Sequence, residues 1–342
     1  MSLFVPVDAH ISYTNVKGDS ISFNFFSPFV ITAAGGIEDH KNNVYGSPAP
    51  GRHGETRSGS RMDRRHIRLV GEIRKELDRE EARQIFYRAF NNTLEGTLLF
   101  HNTRTRLWRN IRCELEELPI IEWSARRKCL TFEVPLVSLE PFWNGRSTVQ
   151  RISENIKLWH FPMTFPQAGS NLLDNQMLFG VRNPNLSSFF DNVGNVASGF
   201  TAILRARIGT VVNPSIINET TGEQIRILHT MQPSDRIVIE NYMHIKRIWL
   251  NDEDSFHLLD DEITTFFLID VGRNHIGFRA DINVINLYVE AIYTPLYTYV
   301  GGYDPAPTGL IRSPYLAMDQ STEYLVETTN GFLVHTAIEG TF

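Results

Sequence analysis

The second half of the chain is a regular succession of short apolar segments, and this pattern limits the possible folds more than any other feature. From about residue 198 onward, polar turns separate these segments and no helical period intervenes. In the last segment, one face carries Ile285, Leu287, Val289, Ala291 and Tyr293. Short alternating strands joined directly by turns predict an antiparallel β-sandwich.

The first half also consists mainly of predicted strands, but it contains one helix. The predicted strands are Ser20–Ile31, Arg64–Ile73, Gly96–His101, Arg106–Leu118 and Lys128–Val137. The helix is predicted over Asp78–Asn92, with Asp78 as its N-cap and Glu81 at the third helical position. Its apolar residues recur at helical spacing and form one stripe, which indicates a helix packed on a sheet: Ala82, Ile85, Phe86, Ala89 and Phe90.

Between the first two predicted strands lies a polar, glycine-rich stretch, Ala34–Gly59, which the pattern predicts to be a loop. A structureless loop of this length is unusual inside a compact domain. We therefore expect it to be either mobile or used for contact with another molecule.

Composition fits a two-domain globular protein. Apolar residues make up 42 % and charged residues 21 % of the 342 residues. Residues 1–150 carry 21 Lys and Arg against 18 Asp and Glu, or +3, and the remainder carries 12 against 21, or −9. A charge of +3 is too small to indicate nucleic-acid binding.

No secretory signal or membrane helix is predicted, so we expect synthesis in the cytosol.

No pattern of residues indicates catalysis, a metal site or a cofactor. Cys113 and Cys129 lack paired ligands, and their strand phases point one inward and one outward, which predicts two free thiols. The acidic segment 251–262 has Phe256 where a calcium loop needs glycine, so it is interpreted as a hairpin end. The carboxylates of Glu114 and Glu116 are placed on the outer face of a strand rather than in an acid–base pair.

The densest basic cluster begins at the end of the predicted loop and comprises Arg57, Arg61, Arg64, Arg65 and Arg68. One interpretation is a contact surface for another subunit. The other is an ordinary solvated strand face, balanced by Glu55, Asp63 and Glu72. No aromatic residues are interleaved to stack on bases, which argues against binding of nucleic acid.

The order of several segments resembles the distal tail protein family of long-tailed bacteriophages. In the first half these are PGRHG at 50–54, RHIRLVGEI at 65–73, EGTL at 95–98, RNIRC at 109–113, FEVPL at 132–136 and PFW at 141–143. In the second half they are NVGNVASG at 192–199, NPSIINETTGE at 213–223, IWLN at 248–251, FFL at 266–268 and NHIGF at 274–278. No single motif is diagnostic, and the resemblance rests on their order over residues 1–297.

The resemblance implies a mainly β protein whose residues 1–145 form a ring-forming belt domain. This domain would be a tail-tube-like β-sandwich or barrel with one packed helix. It implies a galectin-like antiparallel β-sandwich at residues 146–298 that faces outward. Residues 299–342 are predicted to be a linker and a C-terminal hairpin arm around Asn330-Gly331.

The implied function is that of a non-enzymatic structural hub of a phage or phage-tail-like particle. A homohexameric ring at the virion tail tip, assembled in the host cytoplasm, would join the tail tube protein to the tail-tip lysin and the receptor-binding protein. The alternative is a carbohydrate-binding adhesion module, which requires an exposed aromatic platform. A glycan-cleaving enzyme requires two carboxylates facing one cleft. No cofactor, sequence-specific nucleic acid or membrane is expected as a partner.

Overall fold

The computed structural model describes residues 9–24, 26–48, 51, 53–74, 78–102, 104–152, 155–157, 180–182, 186–301, 326–327 and 333–334. These residues fall into two compact units. The first comprises residues within 1–143 together with those from 298 onward, and the second comprises residues within 144–297. The chain is mainly β and its strands pair antiparallel, as the sequence predicts.

The described residues of the first unit form ten strands and one helix before the chain reaches Trp143. They are β1 (Ala9–Asn15), β2 (Ser20–Phe23), β3 (Phe29–Gly35), β4 (Asn42–Pro48), β5 (Glu55–Met62), β6 (Arg65–Ile73), α1 (Arg79–Ala89), β7 (Gly96–Asn102), β8 (Leu107–Leu115), β9 (Ile120–Ser124) and β10 (Cys129–Ser138). A short strand, β11 (Trp143–Asn144), ends this part of the chain. The main sheet has the order β2-β1-β7-β8-β10-β6-β3, and β9 pairs with β10.

The core of the first unit lies between this sheet and α1. Leu130, Phe132, Val134 and Leu136 are buried on one face of β10, as the alternation of apolar residues in this segment predicts. The ring centroid of Phe86 on the helix is 5.0 Å from that of Phe132, and the ring of Phe90 stacks on Tyr13 at 4.4 Å. The helical stripe therefore covers the apolar face of the sheet, as expected.

The ends of α1 follow from hydrogen bonds that the local sequence provides. The carboxylate of Asp78 accepts a hydrogen bond of 2.8 Å from the backbone N–H of Glu81, which confirms the predicted N-cap. The helix ends at Ala89, three residues before the predicted end at Asn92. The side-chain amide of Asn15 donates to the carbonyls of Arg88 and Ala89 at 3.2 and 3.1 Å, and so satisfies carbonyls at the last turn.

Two predictions for the start of the chain are wrong. The segment Ser20–Ile31 is not one strand, because the side chain of Asn24 accepts hydrogen bonds from the N–H groups of Phe26 and Ser27 and closes a turn between β2 and β3. The stretch Ala34–Gly59 is not a loop, because most of it forms the end of β3, β4 and the start of β5.

The second unit is an antiparallel sandwich, and its described residues form a core cluster between the sheets. Its strands are β12 (Thr148–Arg151), β13 (Asn155–Lys157), β14 (Gly180–Arg182), β15 (Ser187–Asn192), β16 (Phe200–Ala206), β17 (Val211–Val212), β18 (Ser215–Asn218), β19 (Gln224–Arg226), β20 (Thr230–Met231), β21 (Arg236–Asn241), β22 (Lys246–Leu250), β23 (Glu253–Asp254), β24 (Gly272–Arg279), β25 (Leu287–Tyr293) and β26 (Leu296–Tyr297). Short 3-10 helices span Phe256–Leu258 and Val284–Asn286. The sheets β12-β25-β16-β21-β22-β23 and β15-β24-β18-β19 both contribute to the core cluster.

Two strand predictions in this unit are also wrong. Thr264–Val271 is one of the apolar segments that the sequence predicts to be strands, but it forms none; Ile269 makes a single bridge to Ser198 instead. Ile285 lies in a 3-10 helix and is exposed, so the buried face of the last strand begins at Leu287 rather than at Ile285.

Beyond Gly301 the structure describes β27 (Val326–Glu327) and β28 (Leu333–Val334), which pair antiparallel as a C-terminal hairpin would. The predicted turn at Asn330-Gly331 and the predicted linker from residue 302 lie outside the described residues. Among the residues that are described, no helix is long and apolar enough to cross a membrane.

Candidate subunit-contact surface

Strands β4 and β5 form a two-stranded arm that extends the β3–β6 pair away from the main sheet. The last pair of β3 with β6 is Gly35 with Arg68, and the arm begins with the pair Asn42 and Met62. In the described part of the chain, the arm strands pair only with each other. No side chain of the arm is buried, and Val44 and Tyr45 are 64 % and 50 % exposed. An isolated hairpin is marginally stable in water, so this arm is a surface suited to a partner.

Four of the five arginines predicted as an interface are exposed on or beside this arm. Arg57 and Arg61 lie on β5, Arg64 follows it, and Arg68 is on the outer face of β6. The guanidinium of Arg57 donates to the hydroxyl of Ser60 at 2.7 Å, and Arg61 lies 3.5 Å from the carboxylate of Asp63. Exposed pairs of this kind contribute about 0–1 kcal/mol, so these cations remain available to a stronger acidic partner.

Arg68 is held more firmly than the arginines of the arm. Its guanidinium lies 2.5 Å from the carboxylate of Glu133 on β10, and this hydrogen bond raises the pKa of Arg68. The sequence pattern does not indicate Glu133 as the partner of this arginine. Glu133 comes from the neighbouring strand β10, two residues before Pro135, which is the residue opposite Arg68 in the β6–β10 register.

Arg65 does not belong to the exposed cluster, and its assignment to a subunit interface is wrong. The strand alternation turns it inward, and its side chain is fully buried. It donates to four backbone carbonyls: Pro141 at 2.7 Å, Gly36 at 2.7 Å, Ile37 at 3.3 Å and Thr298 at 2.6 Å. Burial lowers the pKa of Arg65 to about 10, and the nearby charge of Asp39 partly offsets this, so the group stays protonated at neutral pH.

The base of the arm is fixed by a small polar cluster. A ring nitrogen of His40 lies 2.9 Å from the carbonyl of Asp63, and the amide of Asn43 donates to the carboxylate of the same residue. Burial lowers the pKa of His40, and the positive charge of Arg65 lowers it further. A neutral histidine and an anchored Asp63 thus hold the two strands together where they leave the sheet.

A second exposed surface, which was not predicted from the sequence, lies along β9. Within the described residues this strand pairs on one side only, with β10. Leu118, Ile120 and Trp123 are exposed here, Trp123 by 60 %. Glu117 and Glu122 are exposed beside them. The signal available in the sequence was the run ELEELPIIE at 114–122, which has four glutamates and no cation.

The groups weighed as catalytic or metal-binding sites have ordinary surface partners. Glu116 pairs with His66 at 2.9 Å, and Glu114 is exposed on the outer face of β8. The segment beginning at Asn251 is a hairpin turn, with Asn251 and Asp252 at positive φ. Across the described ranges, no group of three or more His, Cys, Asp or Glu side chains is placed to hold a metal ion.

The second unit presents exposed aromatic side chains at one turn and on one strand. Tyr242 lies in the turn between β21 and β22, is 37 % exposed and shares a hydrogen bond of 2.8 Å with Thr201. Phe189 on β15 is 49 % exposed. Its ring already contacts two side chains of β24: the guanidinium of Arg273 lies 3.8 Å from the ring centroid, and the ring of His275 stacks at 4.6 Å.

The comparisons with known proteins point to phage tails. Residues 193–297 match the family model for the siphovirus-type tail component, C-terminal domain. The crystal structure of the Dit protein of phage SPP1 superposes with a TM-score of 0.57 at 8 % identity, over 84 % of this chain and 98 % of that one. A chain of the phage P2 baseplate in its activated conformation gives a TM-score of 0.48 at 13 % identity, over 85 % and 99 % of the two chains. No curated protein sequence matches the chain.

The family match covers most of the sandwich unit, and the fold match extends across both units. The SPP1 protein is described as a hub of the adsorption apparatus in phages that infect Gram-positive bacteria. The resemblance that the order of segments indicates is thereby confirmed: residues 193–297 match the siphovirus-type tail component, C-terminal domain, and the chain shares the fold of the SPP1 Dit protein.

Proposed function

We propose that this protein is a structural hub of a phage tail tip, and that its first unit forms a closed ring. The ring would join the tail tube protein to the tail-tip lysin and to the receptor-binding protein. The number of copies, six, comes from the family resemblance. The site of action would be the tip of the virion tail, after assembly in the host cytoplasm.

The observation that carries this proposal is the exposed arm of β4 and β5. It buries no side chain in its own unit, and it carries apolar and cationic groups on a surface without a core of its own. A contact made by such an arm on a different surface of the next copy is heterologous, and a heterologous contact repeated by rotation closes into a ring. Pairing would also cover open strand edges, which otherwise favour aggregation.

Light scattering coupled to size-exclusion chromatography tests the ring. The purified protein is measured alone over a range of concentrations and after mixing with the tail-lysin protein of the same particle. A mass of six chains under either condition is expected, and protection of residues 42–62 from proteolysis should accompany it. A monomer under both conditions, with the arm cleaved throughout, contradicts the proposal.

A carbohydrate-binding adhesion module is the second candidate function, and the exposed ring of Phe189 is the observation that favours it. Sugar rings stack on free aromatic faces, whereas Phe189 is already in contact with Arg273 and His275. We therefore expect the second unit to bind no simple sugar tightly. Saturable, sub-micromolar binding on a glycan array would favour adhesion, and loss of that binding in Phe189→Ala would place it on β15.

A further inference from the structure

Two phenylalanine rings meet on the second unit, and an acidic run precedes each of them in the sequence. Residues 252–254 are Asp-Glu-Asp and are followed by Phe256, and residues 260–262 are Asp-Asp-Glu and are followed by Phe266. The two rings stack with their centroids 6.5 Å apart and their planes inclined by 13°. Phe256 is 41 % exposed, whereas Phe266 packs against the core of the unit. The fold therefore places both acidic runs within a few residues of one aromatic pair.

The turn between β21 and β22 extends this apolar surface. The ammonium of Lys246 lies 5.5 Å from the centroid of the Phe266 ring and donates a hydrogen bond to the carbonyl of Tyr242, so it holds the turn against the ring. The side chains of the turn are exposed to solvent. With the two phenylalanines they form a surface that we call the aromatic patch, which consists of Tyr242, Met243, Ile245, Phe256 and Phe266. Exposed apolar side chains grouped in this way are typical of a binding surface.

The charges around the aromatic patch are mainly negative. The nearby arginines are paired with carboxylates: Arg236 with Asp252, Arg226 with Asp260 at 3.5 Å, and Arg247 with Glu240 at 4.0 Å. Four exposed carboxylates form no ion pair among the described residues: Glu253, Asp254, Asp261 and Glu262. Lys246 is the cation of the patch that has no carboxylate partner in the same part of the chain. Four negative charges against one positive charge leave −3 at the patch.

A buried acceptor beside the patch lacks a donor. Asn241 lies opposite Lys246 in the β21–β22 ladder, so the two side chains are on the same side of the sheet. Asn241 is fully buried, and its amide N–H donates to the carbonyl of Phe267. Its Oδ1 has no hydrogen-bond partner among the described residues. Such an acceptor is unfavourable in the free chain, as expected for a surface that a partner completes.

We propose that the aromatic patch binds a basic, apolar segment of another protein, whose lysine or arginine side chains lie on the rings and against the four carboxylates. Lys246 on Phe266 shows this mode of contact within the chain itself, because a cation lies over a ring face while its aliphatic stem covers apolar surface. The charge of −3 disfavours nucleic acid, an acidic protein segment and an anionic lipid surface alike. A second copy of this unit is disfavoured too, since residues 144–297 carry 12 Lys and Arg against 16 Asp and Glu, or −4.

Titration of the full-length protein with labelled peptides tests the proposal. The probe is a fluorescein-labelled peptide of alternating lysine and leucine, and its binding is followed by fluorescence anisotropy. A second peptide has serine in place of leucine, and a third has glutamate in place of lysine. The lysine–leucine peptide should bind saturably and at least about tenfold more tightly than the lysine–serine peptide, because apolar contact adds to the attraction of charges. The glutamate–leucine peptide should not bind.

Substitutions locate the binding on the aromatic patch. Asp261→Asn with Glu262→Gln removes two of the four carboxylates and should weaken binding of the lysine–leucine peptide about fivefold or more. Phe256→Ser and Met243→Ser each remove apolar contact and should weaken it as well. Glu117→Gln with Glu122→Gln removes the same charge from two exposed positions of the first unit and is the matched control. The four acidic positions are exposed, so thermal unfolding should not change in either double variant.

Three outcomes contradict the proposal. The absence of saturable binding, or equal binding of the lysine–leucine and lysine–serine peptides, shows that the patch holds no basic, apolar segment. Equal weakening in the two double variants shows that net charge alone attracts the peptide. If the double variant at Asp261 and Glu262 binds the peptide normally but changes self-association in sedimentation velocity, the occupant is a second copy instead. The inference concerns the second unit only, so none of these results bears on the ring proposed for the first unit.

Discussion

Arg65 is a buried cation that joins three separate parts of the first unit. Its guanidinium donates hydrogen bonds to backbone carbonyls in each of them. Its acceptors lie at the start of the arm, in the segment before Trp143 and at the return of the chain at residue 298. The indole N–H of Trp143 donates to the carbonyl of Ile37 at 3.2 Å, which is also an acceptor of Arg65. The planar guanidinium reaches all these carbonyls at once, and a lysine ammonium lacks that geometry.

Substitution of Arg65 should therefore destabilise the first unit. Arg65→Met removes every donor and leaves buried carbonyls unsatisfied, with an expected loss of about 3–5 kcal/mol. Arg65→Lys should recover only part of this. Urea unfolding, followed by hydrogen exchange in the first unit, measures the loss. Arg68→Ala removes an exposed pair and is expected to cost about 1 kcal/mol or less. Equal effects at the two positions would contradict the assigned role of Arg65.

The two cysteines should differ in reactivity. Cys113 is buried on β8, and desolvation raises the pKa of its thiol to about 12, with Glu114 adding to the shift and a backbone hydrogen bond from Leu98 opposing it. Cys129 is partly exposed at the start of β10, and the two cysteines are not joined in a disulfide. A thiol reagent at pH 8 should label Cys129 rapidly and Cys113 only after denaturation, since the thiolate is the reactive form. Two thiols should titrate in the denatured, unreduced protein, and finding none would refute this.

At the level of elements, the sequence predicts what depends on local periodicity. The buried faces of β6, β8 and β10 and the stripe of α1 follow from alternation and helical spacing, and the structure confirms each of them. The arm was missed because neither of its strands has a buried face, so residues 42–62 show no apolar alternation. Backbone pairing alone forms this hairpin, and hydrophobic patterning carries no signal of it.

The candidate subunit-contact surface was predicted only in part, because the exposure of its side chains depends on the fold and not on local periodicity. A cluster of arginines in the sequence does not show which members face inward, and strand phase separates Arg65 from Arg64 and Arg68. The β9 strand was missed because its apolar residues are exposed on a short edge strand rather than buried on alternate positions. Its exposure depends on which neighbours the sheet places beside it, and that is a property of the tertiary fold.

Removal of the arm should separate folding from assembly. Residues 43–61 replaced by Asn-Gly join the paired residues Asn42 and Met62 through a two-residue turn. The arm contributes no buried side chain, so the thermal midpoint of the first unit should change by no more than a few degrees. The shortened protein should remain monomeric at concentrations where the wild type assembles. An assembled shortened protein would show that the ring contact lies elsewhere.

At the scale of the whole molecule, the sandwich unit is an insertion in the chain of the first unit. The first unit ends at Trp143 and resumes at Thr298. Val300 is buried there, and the carbonyl of Thr298 accepts its hydrogen bond from Arg65. The predicted linker that begins at residue 299 is therefore wrong at its start, because Val300 belongs to the packed part of the first unit.

Two truncations resolve what the C-terminal segment does. Ending the chain after Gly301 keeps Thr298 and Val300, and the first unit should keep its stability, while assembly of the tail tip should be impaired if residues 302–342 dock on a neighbouring protein. Ending it after Tyr297 removes an acceptor of a buried guanidinium and a buried valine, with an expected loss on the order of 3 kcal/mol. Thermal unfolding and particle infectivity measure the two effects separately. Normal infectivity of particles with the first truncation would show that residues 302–342 are dispensable. Equal stability of the two truncated chains would contradict the stabilising role of Thr298 and Val300.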